Sequence, residues 1–127
     1  MLIDNDDDDQ LIFKNALREI TNDLDVALAG NGLRGLEYLR NIPAAMPMPE
    51  LIFLDLNMPL MNGFEFLSII KMDPRFQNIP VVIFSTSANS ADKQKAFNLG
   101  AVKFLTKSPE FAVLKDELTK IYLSLTA

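Results

Sequence analysis

Residues 50–67 read ELIFLDLNMPLMNGFEFL, and this stretch decides the fold. Leu51–Leu54 is an unbroken apolar run of strand length, and Asp55 ends it. Pro59 and Gly63 then bracket a loop. After Gly63, Phe64, Leu67 and Ile70 recur at helical spacing. A short apolar strand, a polar end, a loop and a helix make one unit of a βα-repeating fold.

Outward from this unit the alternation repeats. Further strands are expected at Leu2–Ile3, Val26–Ala29, Val81–Phe84 and Lys103–Leu105. A first helix places Phe13, Ala16, Leu17, Ile20 and Leu24 at three- and four-residue steps, and a second places Leu33, Leu36 and Leu39 likewise. Asn89 or Ser90 caps a fourth helix running to about Leu99, where Gly100 suits its end. A fifth starts near Pro109 and runs through Phe111, Leu114, Leu118, Ile121 and Leu125. Five strands alternating with five helices imply an α/β, doubly wound parallel sheet. Pro43, Pro47 and Pro49 break the chain before the central strand, and the Met- and Pro-rich stretch there reads as a loop within one domain spanning residues 1–127. The first strand is short against the usual five or six residues, as in a chain that begins late.

Composition narrows the chemistry. The chain has 127 residues, 49% hydrophobic and 23% charged, with a net charge of −5, enough apolar material for one packed domain. Five aspartates between Asp4 and Asp9 account for that whole surplus, so the acid belongs to one place. An acidic chain offers no basic surface to nucleic acid. Cysteine and histidine are absent, which excludes disulfides, thiolate metal sites, thiol nucleophiles and imidazole chemistry and leaves carboxylates, hydroxyls and ammonium groups. No apolar stretch approaches the roughly 20 residues that span a bilayer, and the N-terminus lacks a basic, then apolar leader, so the chain reads as cytoplasmic with no membrane insertion.

In a parallel sheet the residues just past the strand ends gather along one edge, where ligands bind. Here those residues are Asp4-Asn5-Asp6, Asp55, Ser85-Thr86 and Lys107. Taken singly, each has a duller role: a turn or helix cap for Asp55, a solvated acidic run at the N-terminus, a surface charge for Lys107. Together they describe a metal-assisted phosphoryl site. Carboxylates are hard oxygen ligands suited to Mg²⁺, Asp55 is placed as a nucleophile, and Ser85 and Lys107 suit phosphoryl oxygens.

At these residues the sequence resembles the receiver domain of two-component response regulators. The segment 50–67 is similar to that family's phosphoacceptor segment, with Asp55 followed by Asn57, Met58, Pro59 and the Asn62-Gly63 turn. IPVVIFSTSA and GAVKFLTK resemble its fourth and fifth strands, and the intervals of 30 residues from Asp55 to Ser85 and 52 to Lys107 fit its hydroxyl and lysine positions. The resemblance implies a flavodoxin-like (βα)5 sheet in strand order 2-1-3-4-5. It implies a switch in which a sensor histidine kinase or histidine phosphotransfer protein donates a phosphoryl group to Asp55 with Mg²⁺. The metal would be held by Asp4, Asn5, Asp55 and the backbone carbonyl of Asn57, and Ser85 and Lys107 would bind the phosphoryl oxygens. Ser85 and the aromatic Phe104 would be the switch pair that remodels a face for a downstream protein target. Such domains assist their own phosphorylation and dephosphorylation, a process flanked here by Asn57 and Ser87, and are not enzymes in the usual sense.

Three departures from the pattern bear on this. Asn5 stands where the family has a second acid, so weaker Mg²⁺ binding is expected unless Asp6 compensates through a one-residue shift of the loop. Ser108 rather than proline follows Lys107, so that peptide bond is expected trans, since a non-proline cis bond costs about 2.5–4 kcal/mol. Phe104 lacks the hydroxyl of the tyrosine often found there. No output domain is expected after the fifth helix, so the output is expected to be contact with another protein, or the chain is a domain cut from something larger. Two other functions compete: a receiver-like interaction module that is never phosphorylated, favoured by Asn5, and an Asp-nucleophile hydrolase of small phosphate esters, disfavoured because Asn57 stands where a second acid would be needed.

Overall fold

β1 (Leu2–Ile3), β2 (Leu28–Ala29), β3 (Ile52–Leu54), β4 (Val81–Ser85) and β5 (Lys103–Thr106) form one parallel sheet in the order β2-β1-β3-β4-β5. Between and after them come α1 (Asp7–Ile20), α2 (Gly32–Arg40), α3 (Gly63–Met72), α4 (Ser90–Asn98) and α5 (Phe111–Thr126). The computed structural model describes residues 1–87 and 89–126, without the side chains of Leu125 and Thr126, so the expected place of Leu125 in the α5 stripe lies outside the described residues.

Period-two alternation along the strands splits the core in two. Ile3, Ile52, Leu54, Val81 and Ile83 face one side and pack with Leu36 and Leu39 of α2, Phe66, Leu67 and Ile70 of α3 and Ala96 of α4. Leu2, Phe53, Val82, Phe84 and Leu105 face the other and pack with Phe13 and Ala16 of α1 and Leu114, Leu118 and Ile121 of α5. Helices therefore cover both faces, which is why β3 and β4 are buried throughout and read as continuous apolar runs.

Several boundaries differ from the sequence expectation. α1 ends at Ile20, four residues before Leu24. Thr21 adopts an extended backbone and its hydroxyl accepts from Asp23 N–H, which stops the helix and leaves Leu24 exposed. β2 pairs only at Leu28–Ala29, the edge of the sheet, rather than from Val26. α5 begins at Phe111, not Pro109, because Ser108 Oγ accepts from Glu110 N–H and holds the preceding residues in a turn. Leu33 and Phe111, expected on buried stripes, are exposed. β1 has only two residues, yet it lies between β2 and β3 with both side chains fully buried. The peptide bonds of the described residues are all trans, Lys107–Ser108 included.

Register brings the polar residues together. Ile3 pairs with Leu54, so Asp4 and Asp55 leave neighbouring strands at the same level, and Asp55 N–H donates to Ile3 C=O at 2.9 Å. Ser85 pairs with Thr106, and Lys107 N–H donates to Ser85 C=O at 2.7 Å. Among the described residues no helix is long and apolar enough to cross a membrane.

Candidate functional site

The loop after β3 is built to hold Asp55 still. Gly63 N–H donates to Leu56 C=O at 3.0 Å, which folds residues 56–62 back onto the strand end. The approach is so close that a Cβ on Gly63 would lie 2.8 Å from Leu56 Cα and nearer still to the Asp55 carbonyl oxygen. Asn62 caps α3: its side chain accepts from Glu65 N–H at 2.9 Å and Glu65 answers by accepting from Asn62 N–H at 3.2 Å. Leu60, at the tip, has φ of 67°, the left-handed region that costs a non-glycine residue roughly 1 kcal/mol.

Asp55 is 5% exposed. Its Oδ1 accepts from Asn57 N–H at 3.4 Å, and its Oδ2 lies 3.5 Å from Lys107 Nζ. Burial pushes its carboxyl above the ordinary 3.8, the nearby Asp4 charge adds to the rise, and Lys107 opposes both.

Asp4 is fully buried beside it. Asp4 Oδ1 accepts from Asp6 N–H at 2.9 Å, while Asp4 Oδ2 has no hydrogen-bond partner. Lys107 Nζ does lie 2.7 Å from that oxygen. The contact is an ion pair whose angles fall outside hydrogen bonding, and Coulomb attraction needs no such direction. The buried carboxylate of Asp4 is thus neutralised by the lysine ammonium.

Lys107 is held by three carboxylates. Besides Asp4 and Asp55, Asp9 Oδ2 accepts from its ammonium at 2.7 Å. Burial alone would lower the lysine pKa, but the hydrogen-bonding and charge of these acids outweigh it and the pKa rises above 10.5. The ammonium also lies over the Phe84 ring, 5.4 Å from its centroid. Ser85 is fully buried, and its Oγ accepts from Ser87 N–H at 3.3 Å. Ser87 Oγ in turn donates to Asp92 Oδ2 of α4 at 2.9 Å.

The remaining expected residues stand further out. Asn5 and Asn57 are exposed. Asp6, also exposed, is the N-cap of α1, its Oδ1 accepting from Asp9 N–H at 3.0 Å, so that oxygen is committed to the helix. Phe104 is half-buried against the α2–α4 side of the core, with Lys93 Nζ 5.6 Å from its ring centroid. Among the described residues no three acidic side chains are grouped as a ready metal cage, since the Lys107 ammonium stands among them. A cavity of about 750 Å³ lies elsewhere, against Met1, Val26, Ile42, Met48 and Leu51, and none of the strand-end acids lines it.

Asp9 is the site residue the sequence reading missed. Its signal was present in helical periodicity: Asp9 lies four residues before Phe13 and seven before Ala16, both buried against the sheet, so it shares their face at the end nearest the strand tips.

Comparison with known proteins follows the same lines. The family model described as response regulator receiver domain matches residues 1–119. The response regulator Rcp1 of Synechocystis is 33% identical over 110 residues, 85% of this chain and 75% of Rcp1. Rre1 of the same organism is 31% identical over 88% of this chain but only 45% of its own length. Among solved structures, the phosphorylated cyanobacterial phytochrome response regulator RcpA superposes with a TM-score of 0.85 at 34% identity, over 94% of this chain and 87% of RcpA. The Mn²⁺-bound form of Rcp1 superposes with a TM-score of 0.82 at 31% identity, over 94% and 88%. With its sheet order, its strand-end acids and a match over nearly all its length, the chain belongs to the response regulator receiver domain family of signalling switches.

Proposed function

We propose that Asp55 accepts a phosphoryl group from a partner phosphohistidine, on a histidine kinase or phosphotransfer protein, and that the modified chain presents a changed face to a downstream protein. The observation that carries this reading is one lysine ammonium, 10% exposed, shared by Asp4, Asp9 and Asp55 at the C-terminal edge of the sheet, where the fully buried Ser85 also ends its strand. An Asp55 oxygen would attack phosphorus in line, forming a P–O bond as the P–N bond to the donor imidazole breaks. Lys107 would take up charge on the transferred oxygens, and Ser85 Oγ, now only an acceptor for Ser87 N–H, has its own hydroxyl proton to donate to one of them.

A divalent cation fits the acids present. Asp4 and Asp55 are buried carboxylates that leave neighbouring strand ends at the same level, and oxygen donors of this kind suit Mg²⁺. Asp4, Asp55 and the Asn57 carbonyl would hold it, with Asn5 contributing at most a neutral amide. When bound, Mg²⁺ offsets repulsion between the acceptor carboxylate and the phosphoryl oxygens. That Rcp1 was solved with Mn²⁺ and RcpA in phosphorylated form supports both parts of the reading by likeness.

The test is intact mass after incubation with acetyl phosphate or phosphoramidate and Mg²⁺. A gain of one phosphoryl group, absent without Mg²⁺ and absent in Asp55→Asn, is expected. No adduct at saturating Mg²⁺ would contradict the switch and favour an interaction module that is never phosphorylated.

A further inference from the structure

Lys107 lies nearer to two other carboxylates than to Asp55. Its Nζ is 2.7 Å from both Asp4 Oδ2 and Asp9 Oδ2, against 3.5 Å from Asp55 Oδ2. Asp4 is fixed, being fully buried on the neighbouring strand end. Asp9 reaches in from the first turn of α1, 98 residues away in sequence, and its side chain is 32% exposed. The contact to Asp9 is a hydrogen-bonded ion pair. An ammonium has three N–H donors, and here one is directed at Asp9 before any phosphoryl group arrives.

We propose that Asp9 is a positioning residue acting through Lys107: in the unmodified chain it draws the ammonium toward the start of α1, and it competes with a phosphoryl group on Asp55 for that charge. The inference rests on the reading of Asp55 as acceptor. Because Asp9 is partly exposed, water can replace Lys107 on its carboxylate, whereas Asp4 has no such access. Asp9 is therefore the contact that yields when the lysine turns to a phosphoryl oxygen. The exchange unties the first turn of α1 from the end of β5 at the moment the acceptor is modified.

The probe is beryllium trifluoride with Mg²⁺, a phosphoryl mimic, titrated by amide NMR into the whole chain. The parent binds. Asp9→Asn, which keeps the size and the helix turn, is expected to tighten the mimic about tenfold. The gain is expected to shrink to about twofold or less when Lys107→Met is present, and Asp9→Glu is expected to restore the parent affinity. In the metal-free chain, a slowly exchanging Lys107 ammonium signal is expected to weaken in Asp9→Asn and persist in Asp9→Glu. A merely structural tie would alter thermal stability without this dependence on Lys107. If the parent binds the mimic and Asp9→Asn changes nothing, or changes it equally with and without Lys107, the role of Asp9 is overturned while the acceptor reading stands. If the parent does not bind the mimic at all, the acceptor reading falls, and the positioning role with it.

Discussion

Asp55 is an ionisable group in a place that disfavours its charge. Burial raises its pKa above the ordinary 3.8, and the Lys107 ammonium, 3.5 Å away, only partly opposes the rise. A carboxyl whose folded pKa exceeds its unfolded one stabilises the fold fully below about pH 3.8, and that contribution is lost as the pH rises through the folded value. At pH 7 the acceptor therefore costs stability. Asp55→Asn is expected to be more stable than the parent at pH 7, with a higher Tm, and the gap is expected to close as the pH approaches 3.8. Thermal unfolding of both proteins across this range checks it, and an Asn variant no more stable than the parent at pH 7 contradicts it. Asp4, Asp55, Ser85 and Lys107 were legible in the sequence because topology alone sends strand-end residues to one edge. Asp9 was not read, since the acidic run looked like a single solvated patch until α1 separated Asp6, a cap turned to its own helix, from Asp9, turned to the lysine.

At the scale of elements, the loop between β3 and α3 carries the acceptor. Its position depends on Gly63, where added atoms would meet backbone on both Asp55 and Leu56 rather than a side chain that can move aside. Gly63→Ala is expected to destabilise the chain by about 2–4 kcal/mol in chemical denaturation and to displace the strand end. A loss under about 0.5 kcal/mol would show that the loop is not set by this contact. Gly63 was readable as the end of the loop before α3, whereas the cap that Asn62 supplies was not read. Helix and strand ends elsewhere were less legible. Leu24 kept the apolar period of α1, yet the Thr21 hydroxyl ended the helix first, and the edge strand β2 is limited by its single partner β1.

For the molecule as a whole, the sheet separates two apolar layers, and the site sits where both meet the strand tips. In the layer of α1 and α5, Phe13 packs edge-on to Phe53 with ring centroids 4.8 Å apart and tilted against Phe84 at 5.8 Å. Phe53 stands two residues before Asp55, and Phe84 one before Ser85. Phe13→Ala is expected to cost roughly 3–5 kcal/mol by equilibrium denaturation, as for other buried aromatics, and a cost below about 1.5 kcal/mol would mean that α1 is not fastened there. The fold class and two-sided burial followed from the alternation of apolar runs with helical stripes, and the strand order from the resemblance to receiver domains. The placement of α1 over the lysine did not, because it depends on packing between segments far apart in the chain. The account's central claim is that Asp55 is the acceptor, and chemistry at that residue tests it most directly. Borohydride reduction of the acetyl-phosphate-treated chain, followed by peptide mapping, is expected to convert position 55 alone to homoserine. Homoserine at Asp4 or Asp9, or a phosphoryl adduct that leaves Asp55 unreduced, would contradict it.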